Sequence, residues 1–154
     1  MQLWARDIDL KELNDKATGT LNATLGIEIT SFTKDTLTGR MPVDEHTIQP
    51  AGVLHGGASV ALAETLASWA GSLAVDAERF HVVGQEINAT HLRAGSAGQW
   101  VYGTASPIHV GRKTHVWEIR ISNDAGKLVC ISRCTLAVLE TPGRYARDGE
   151  RPGT

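Results

Sequence analysis

The 154-residue sequence has only two cysteines, no run dense in lysine and arginine, and no closely spaced histidine pair. Cys130 and Cys134 fall in a stretch that reads as extended, where four residues span about 13 Å, beyond disulfide reach. They are read as reduced core thiols. Lys+Arg total 15 against Asp+Glu 17, which leaves no broad electrostatic footprint for a nucleic acid or an anionic membrane. The six histidines form neither an HxH nor an HxxxH pair and join no Cys/His cluster, so a metal hydrolase is the least favoured reading and no metal or cofactor is expected. Met1 to Leu10 mixes Arg6, Asp7 and Asp9 with apolar residues, which disfavours a secretory signal and points to the cytoplasm. Thr47 to Ala63 is uncharged, but Gln49, Pro50, His55, Gly52, Gly56 and Gly57 interrupt it and Glu64 closes it. No membrane span is expected.

What is present fits one domain with a real core, at 42% hydrophobic content. Leu10 to Lys16 can form a short leading helix. Residues 26–32 and 36–43 alternate apolar with polar around Lys34-Asp35 and read as a hairpin. Gly56 to Val75 is rich in Ala and Leu, places Leu62, Leu66, Trp69 and Leu73 on one side, and predicts a long helix. Phe80 to Leu92, Trp100 to Ile108, Thr114 to Ser122 and Lys127 to Leu139 follow as strands between turn-formers. In the third of these, His115, Trp117, Ile119 and Ile121 share a face; the fourth is apolar on both faces and suits the sheet interior. The plan is α+β, a domain over residues 1–140 in which an antiparallel sheet wraps one helix. Residues 141–154 are polar, with Pro and Gly at both ends, and read as a disordered tail.

Glu64 is the only formally charged residue between Glu45 and Asp76, near the middle of the most apolar helix. On a helical wheel it lies opposite Leu62, Leu66 and Trp69, with Gly57, Ala61 and Ser68 on its side. A solvated helical Glu normally has charged companions, and this one has none. A carboxylate so placed suits a general base or a nucleophile. Upstream, Gln49-Pro-Ala-Gly-Val-Leu-His55-Gly56-Gly57 sets two glycines where the helix begins, so bare backbone N–H groups and the positive helix end face whatever lies in front.

These residues carry a family likeness. Gln49-Pro-x-Gly-x-Leu-His-Gly-Gly-Ala-Ser-x-x-Leu-Ala-Glu64-x-x-x-Ser68 resembles the hotdog-fold acyl-CoA thioesterases of the phenylacetate-degradation type. It is nearest the branch with the 1,4-dihydroxy-2-naphthoyl-CoA and 4-hydroxybenzoyl-CoA thioesterases. Met41-Pro-Val-Asp44, Val82-Val-Gly84-x-Glu-Ile-Asn88-Ala-x-His91-x-Arg93 and Ile108-His109-x-Gly111-Arg112 look like the same branch. The likeness runs from about residue 3 to residue 139. It implies a hotdog fold, dimers joined edge to edge and paired again as tetramers, with sites across the dimer interface.

By position, the resemblance implies Glu64 as nucleophile or general base and the Gly56 N–H as the donor that polarises the thioester carbonyl. His55 and Gln49 would orient the carbonyl and the attacking group; Ser68 would hold water or the acyl end. The CoA portion would meet Gly84, His91, Leu92, Arg93 and Ala94, and the turn formed by His109, Val110, Gly111, Arg112, Lys113 and Thr114. Among these, Arg93, Arg112 and Lys113 suit the phosphates. Ala51 and Trp69 stand where the family pattern has bulkier and smaller residues respectively, which gives the acyl pocket its own shape. The implied reaction is hydrolysis of an aromatic acyl-CoA. Two rivals use the same scaffold: an acyl-thioester hydratase or dehydratase, whose loop signatures are not found, and a non-catalytic acyl-CoA-binding module, against which stands the joint presence of Gln49, His55, Gly56, Glu64 and Ser68.

Overall fold

A computed structural model describes residues 2–142. Two short helices lead, α1 (Leu10–Asp15) and α2 (Leu21–Leu25), followed by the strands β1 (Glu28–Phe32) and β2 (Leu37–Pro42), the long helix α3 (Gly56–Ala74), and the strands β3 (Phe80–His91), β4 (Trp100–Val110), β5 (Thr114–Asn123) and β6 (Leu128–Glu140). The strands form one antiparallel sheet in the order β1-β2-β4-β5-β6-β3. β6 is interior to it, as expected, but its burial alternates, with Val129, Cys130, Ser132, Cys134 and Leu136 buried and Arg133 exposed. The pleat of an antiparallel strand with one covered face overrides its apolar composition.

The sheet curls around α3, whose Leu62, Ala63, Leu66, Ala67, Ala70 and Leu73 are buried against Leu37, Met41, Trp117, Ile119, Ile121 and Leu136. Trp4, ahead of α1, stacks on Trp117 with ring centroids 6.5 Å apart. Both cysteines are free and buried, as read from their spacing. Burial also leaves Nδ1 of His115 and Nε1 of Trp117 without partners among the described residues.

The N-terminal elements are tied down by side chains. Asp9 caps α1 by accepting from the N–H groups of Lys11 and Glu12. Asn14 then bonds both backbone groups of Ile29, donating to its carbonyl at 2.9 Å and accepting from its N–H at 2.8 Å. α2 was not expected, and it ends at Gly26, whose φ of 70° is left-handed. No helix among the described residues is long and apolar enough to cross a membrane. Most of the expected tail, residues 143–154, lies outside the described residues.

Candidate functional site

The start of α3 is fixed by the loop before it. Thr47 is buried, donates its hydroxyl to the Pro42 carbonyl at 2.7 Å and accepts the His55 N–H on its own carbonyl at 2.8 Å. Leu54 donates its N–H to the Gly95 carbonyl. His55 is the helix N-cap, and its Nδ1 accepts from the Gly57 N–H at 2.8 Å. The sequence suggested two bare N–H groups here; one of them, on Gly57, is consumed by the cap. That of Gly56 has no hydrogen-bond partner among the described residues and stands at the positive end of a 19-residue helix.

Two imidazoles explain the paired glycines. A β-carbon on Gly56 would lie 2.8 Å from Nε2 of His91, and one on Gly57 would lie 3.0 Å from the His55 ring. His91 ends β3, so this strand runs antiparallel along α3. Further along the same pair of elements, a β-carbon on Gly84 would collide with Oε1 of Glu64, and one on Gly71 would approach Val82.

Gln49, Gly56, His91, Leu92, Arg93 and Ala94 line one cavity of about 430 Å³, together with the buried Ser59. Gln49 is held by its own turn, its side-chain oxygen accepting from the Ala51 N–H at 2.6 Å. Arg93 donates to the Leu128 carbonyl at 2.7 Å, so part of its guanidinium is committed to the fold.

Glu64 and Ser68 line a separate groove of about 710 Å³ with Gly57, Ala61, Thr65 and Trp69 of α3 and Lys16, Thr20, Leu21 and Asn22 opposite. Trp69, expected on the apolar side with Leu62, is half-buried and packs on the core, and it also lines the groove, its ring 5.9 Å from Nζ of Lys16. An indole is long enough to reach from the helix's buried stripe to its flank. Gly56 and Glu64 are eight residues apart on one helix, so their backbones are about 12 Å apart at 1.5 Å per residue.

The turn between β4 and β5 forms a third region. Gly111 donates its N–H to the Thr114 carbonyl at 2.9 Å, the His109 ring lies over Gly111, and Val110 packs on the core. Arg112 and Lys113 line a cavity of about 1130 Å³ with Phe80, Val138, Leu139 and a third cation, Arg79, which sequence reasoning missed. Arg93 is not in this cavity, so the three expected phosphate ligands are divided between two places on one chain.

The charges around Glu64 bear on its neighbours. Burial, and then the Glu64 and Glu86 carboxylates, push the Cys134 thiol up to about 11, which removes it as a nucleophile at neutral pH. Among the described residues, Asp44, Glu45 and His46 are the one grouping with metal-ligand geometry, and none of them lines the Glu64 groove.

Residues 51–130 match the model of the thioesterase superfamily. The chain is 49% identical to a proofreading thioesterase, EntH, of Cronobacter turicensis over 137 residues, which covers 89% of this chain and 98% of the relative. It is 45% identical to the 1,4-dihydroxy-2-naphthoyl-CoA hydrolase of Escherichia coli K12, covering 89% of this chain and 99% of that one. A crystal structure of a mutant thioesterase from Pseudomonas aeruginosa superposes with a TM-score of 0.89 at 47% identity, covering 91% of this chain and all of the other, 100%. A six-stranded antiparallel sheet wrapped on α3, a lone carboxylate on that helix and full-length likeness to thioester hydrolases lead to one assignment: the chain is a thioesterase of the thioesterase superfamily, with the hotdog fold.

Proposed function

We propose that the protein hydrolyses an aromatic acyl-CoA to the free acid and CoA, with 1,4-dihydroxy-2-naphthoyl-CoA or a hydroxybenzoyl-CoA as its substrate. The observation that carries the chemistry is Glu64, half-buried in the groove of an otherwise uncharged helix and pressed against Gly84. Its carboxylate attacks the thioester carbon or takes a proton from the water that does so. Ser68, one turn on, holds that water or the acyl end. The developing oxyanion is met by the Gly56 N–H, whose preorganised dipole needs no rearrangement; losing such a donor costs about 3 to 4 kcal/mol of barrier. His55 sets that N–H by capping the helix, and Gln49, with its amide nitrogen unpartnered among the described residues, orients the carbonyl. The acyl preference is supported by the Trp69 face in the groove and by the E. coli relative's substrate.

The separation of Gly56 from Glu64 argues for a shared site. One scissile carbonyl needs nucleophile and oxyanion donor each within about 3 Å, and one chain holds the two backbone positions about 12 Å apart along α3. The long strand β3 lies at the sheet edge, with Val83 42% exposed, and is free to pair with a second copy. A two-fold axis midway between Ile87 and Asn88 sets Gly84, beside Glu64, opposite His91 of the partner subunit, beside that chain's Gly56. The same pairing carries Arg112 and Lys113 of one copy, which border the Phe80 end of β3, toward Arg93 of the other, where they meet the CoA phosphates. Two such dimers pair as a tetramer, in the cytoplasm.

The test is thiol release from 1,4-dihydroxy-2-naphthoyl-CoA, 4-hydroxybenzoyl-CoA, phenylacetyl-CoA and a medium-chain aliphatic CoA, with Glu64→Ala alongside. Fast release on an aryl ester that falls about a thousandfold or more in the variant supports the reading. Release that ignores Glu64, or none on any ester, overturns it.

A further inference from the structure

The groove that carries Glu64 has an outer wall, α2, that meets the core only through the partly buried Leu25. α2 contributes no buried residue, and its N-cap Thr20 makes no side-chain cap bond. Leu21 is 62% exposed. What joins this turn of helix to α3 is one side-chain bond across 43 positions of sequence: the Thr65 hydroxyl donates to Oδ1 of Asn22 at 3.1 Å. Thr65 directly follows Glu64, so the bond fixes Asn22 beside the carboxylate's own turn.

A primary amide has an acceptor oxygen and two N–H donors. Thr65 engages the oxygen of Asn22, and the amide nitrogen has no partner among the described residues. Asn22 is half-buried and lines the groove with Trp69, Ser68 and Lys16. Lys16 is already engaged, with Nζ 2.6 Å from Glu12. Beside the Ser68, Ser72 and Thr20 hydroxyls, the groove therefore offers one flat aromatic face and one amide donor, whose orientation is set in advance by a second side chain. That pairing suits a ring bearing an oxygen substituent, and a plain ring or an alkyl chain leaves the amide unsatisfied.

We propose that Asn22 is a specificity-determining residue, donating an amide hydrogen to an oxygen substituent on the acyl ring that lies against Trp69, with Thr65 as its positioning residue. This rests on the reading of the Glu64 groove as the acyl site. The experiment measures kcat/KM for 4-hydroxybenzoyl-CoA and for benzoyl-CoA, which differ only in the ring oxygen, in wild type, Asn22→Ala, Thr65→Val and Thr65→Ser. Wild type is expected to favour the hydroxylated ester, and Asn22→Ala to cut that preference about tenfold, the usual worth of one neutral hydrogen bond. Thr65→Val loosens the amide without removing it and shifts the preference the same way by less; Thr65→Ser keeps the bond and the preference. A preference absent in wild type, or unchanged in Asn22→Ala because both rates fall alike or neither falls, overturns the inference while hydrolysis itself stands. Hydrolysis of neither ester overturns the inference, and the proposed function falls with it only if 1,4-dihydroxy-2-naphthoyl-CoA is left intact as well.

Discussion

Gly84 and Glu64 occupy each other's space: a β-carbon on the glycine would lie 2.6 Å from Oε1 of the carboxylate. The strand needs a glycine there because one oxygen of the carboxyl group points into the space a side chain would fill. The register of β3 against β6 shifts at this point, between Gly84 and Glu86, so the strand bulges where the carboxylate rests.

Gly84→Ala is accordingly a probe of carboxylate position. The added methyl meets the free end of a flexible side chain, so the fold tolerates it and Glu64 swings aside. A loss in kcat of about a hundredfold is expected, in line with small misplacements of reacting groups, with thermal unfolding little changed. A variant as active as wild type would mean that the position of Glu64 over the strand is irrelevant to turnover.

Gly56→Pro deletes a backbone donor but also sets a ring carbon against Nε2 of His91, so Gly56→Ala, which crowds His91 and keeps the N–H, runs beside it as the control. Proline is well accepted at the first position of a helix, and His55, at φ −67° and ψ 128°, already has the extended conformation that a following proline demands. Hydrolysis should fall about 10²- to 10³-fold while helix content stays. Co-refolding it with Glu64→Ala then tests the shared site. In a mixed dimer one site collects both lesions and the other none, so an equimolar mixture should regain about a quarter of wild-type activity. If the mixture stays as inactive as its parts, both groups act within one chain.

His115 supplies a pH dependence. It is 1% exposed with Nδ1 unpartnered among the described residues, and burial lowers its pKa from 6.5, helped by His109 and opposed by the backbone at Gly111. The unfolded chain therefore takes up this proton at a higher pH than the folded one. Its contribution is complete above 6.5 and is lost as pH falls toward the folded value. Urea unfolding of wild type should show stability declining below pH 6.5, with a shallower slope in His115→Phe whatever that variant's absolute stability. Equal slopes would place the acid sensitivity elsewhere.

The large elements were legible because each repeats one period over many residues: α3 and the four long strands begin and end within two residues of where their patterns do. α2 was not legible, since five residues without a buried position leave no period to detect. Glu64 stood out by charge alone. Its contact with Gly84 spans 20 positions between helix and strand, which only the tertiary fold sets, and the resemblance had cast Gly84 as a CoA contact. Gly57 misled for a local reason, because a histidine N-cap is rarer than Ser, Asp or Asn and the sequence gives it no mark. Asn22 and Arg79 carried no signal beyond being polar residues near turns.

Asn14 does more than anchor α1. By bonding both the N–H and the carbonyl of Ile29 it imitates one rung of a neighbouring strand, and the bulge between Ile29 and Ser31 breaks the ladder beside it. The sheet is therefore corked at β1 and open at β3. A copy docking on the open side would find no matching free side to extend, so the capped β1 edge disfavours growth by sheet addition into a filament.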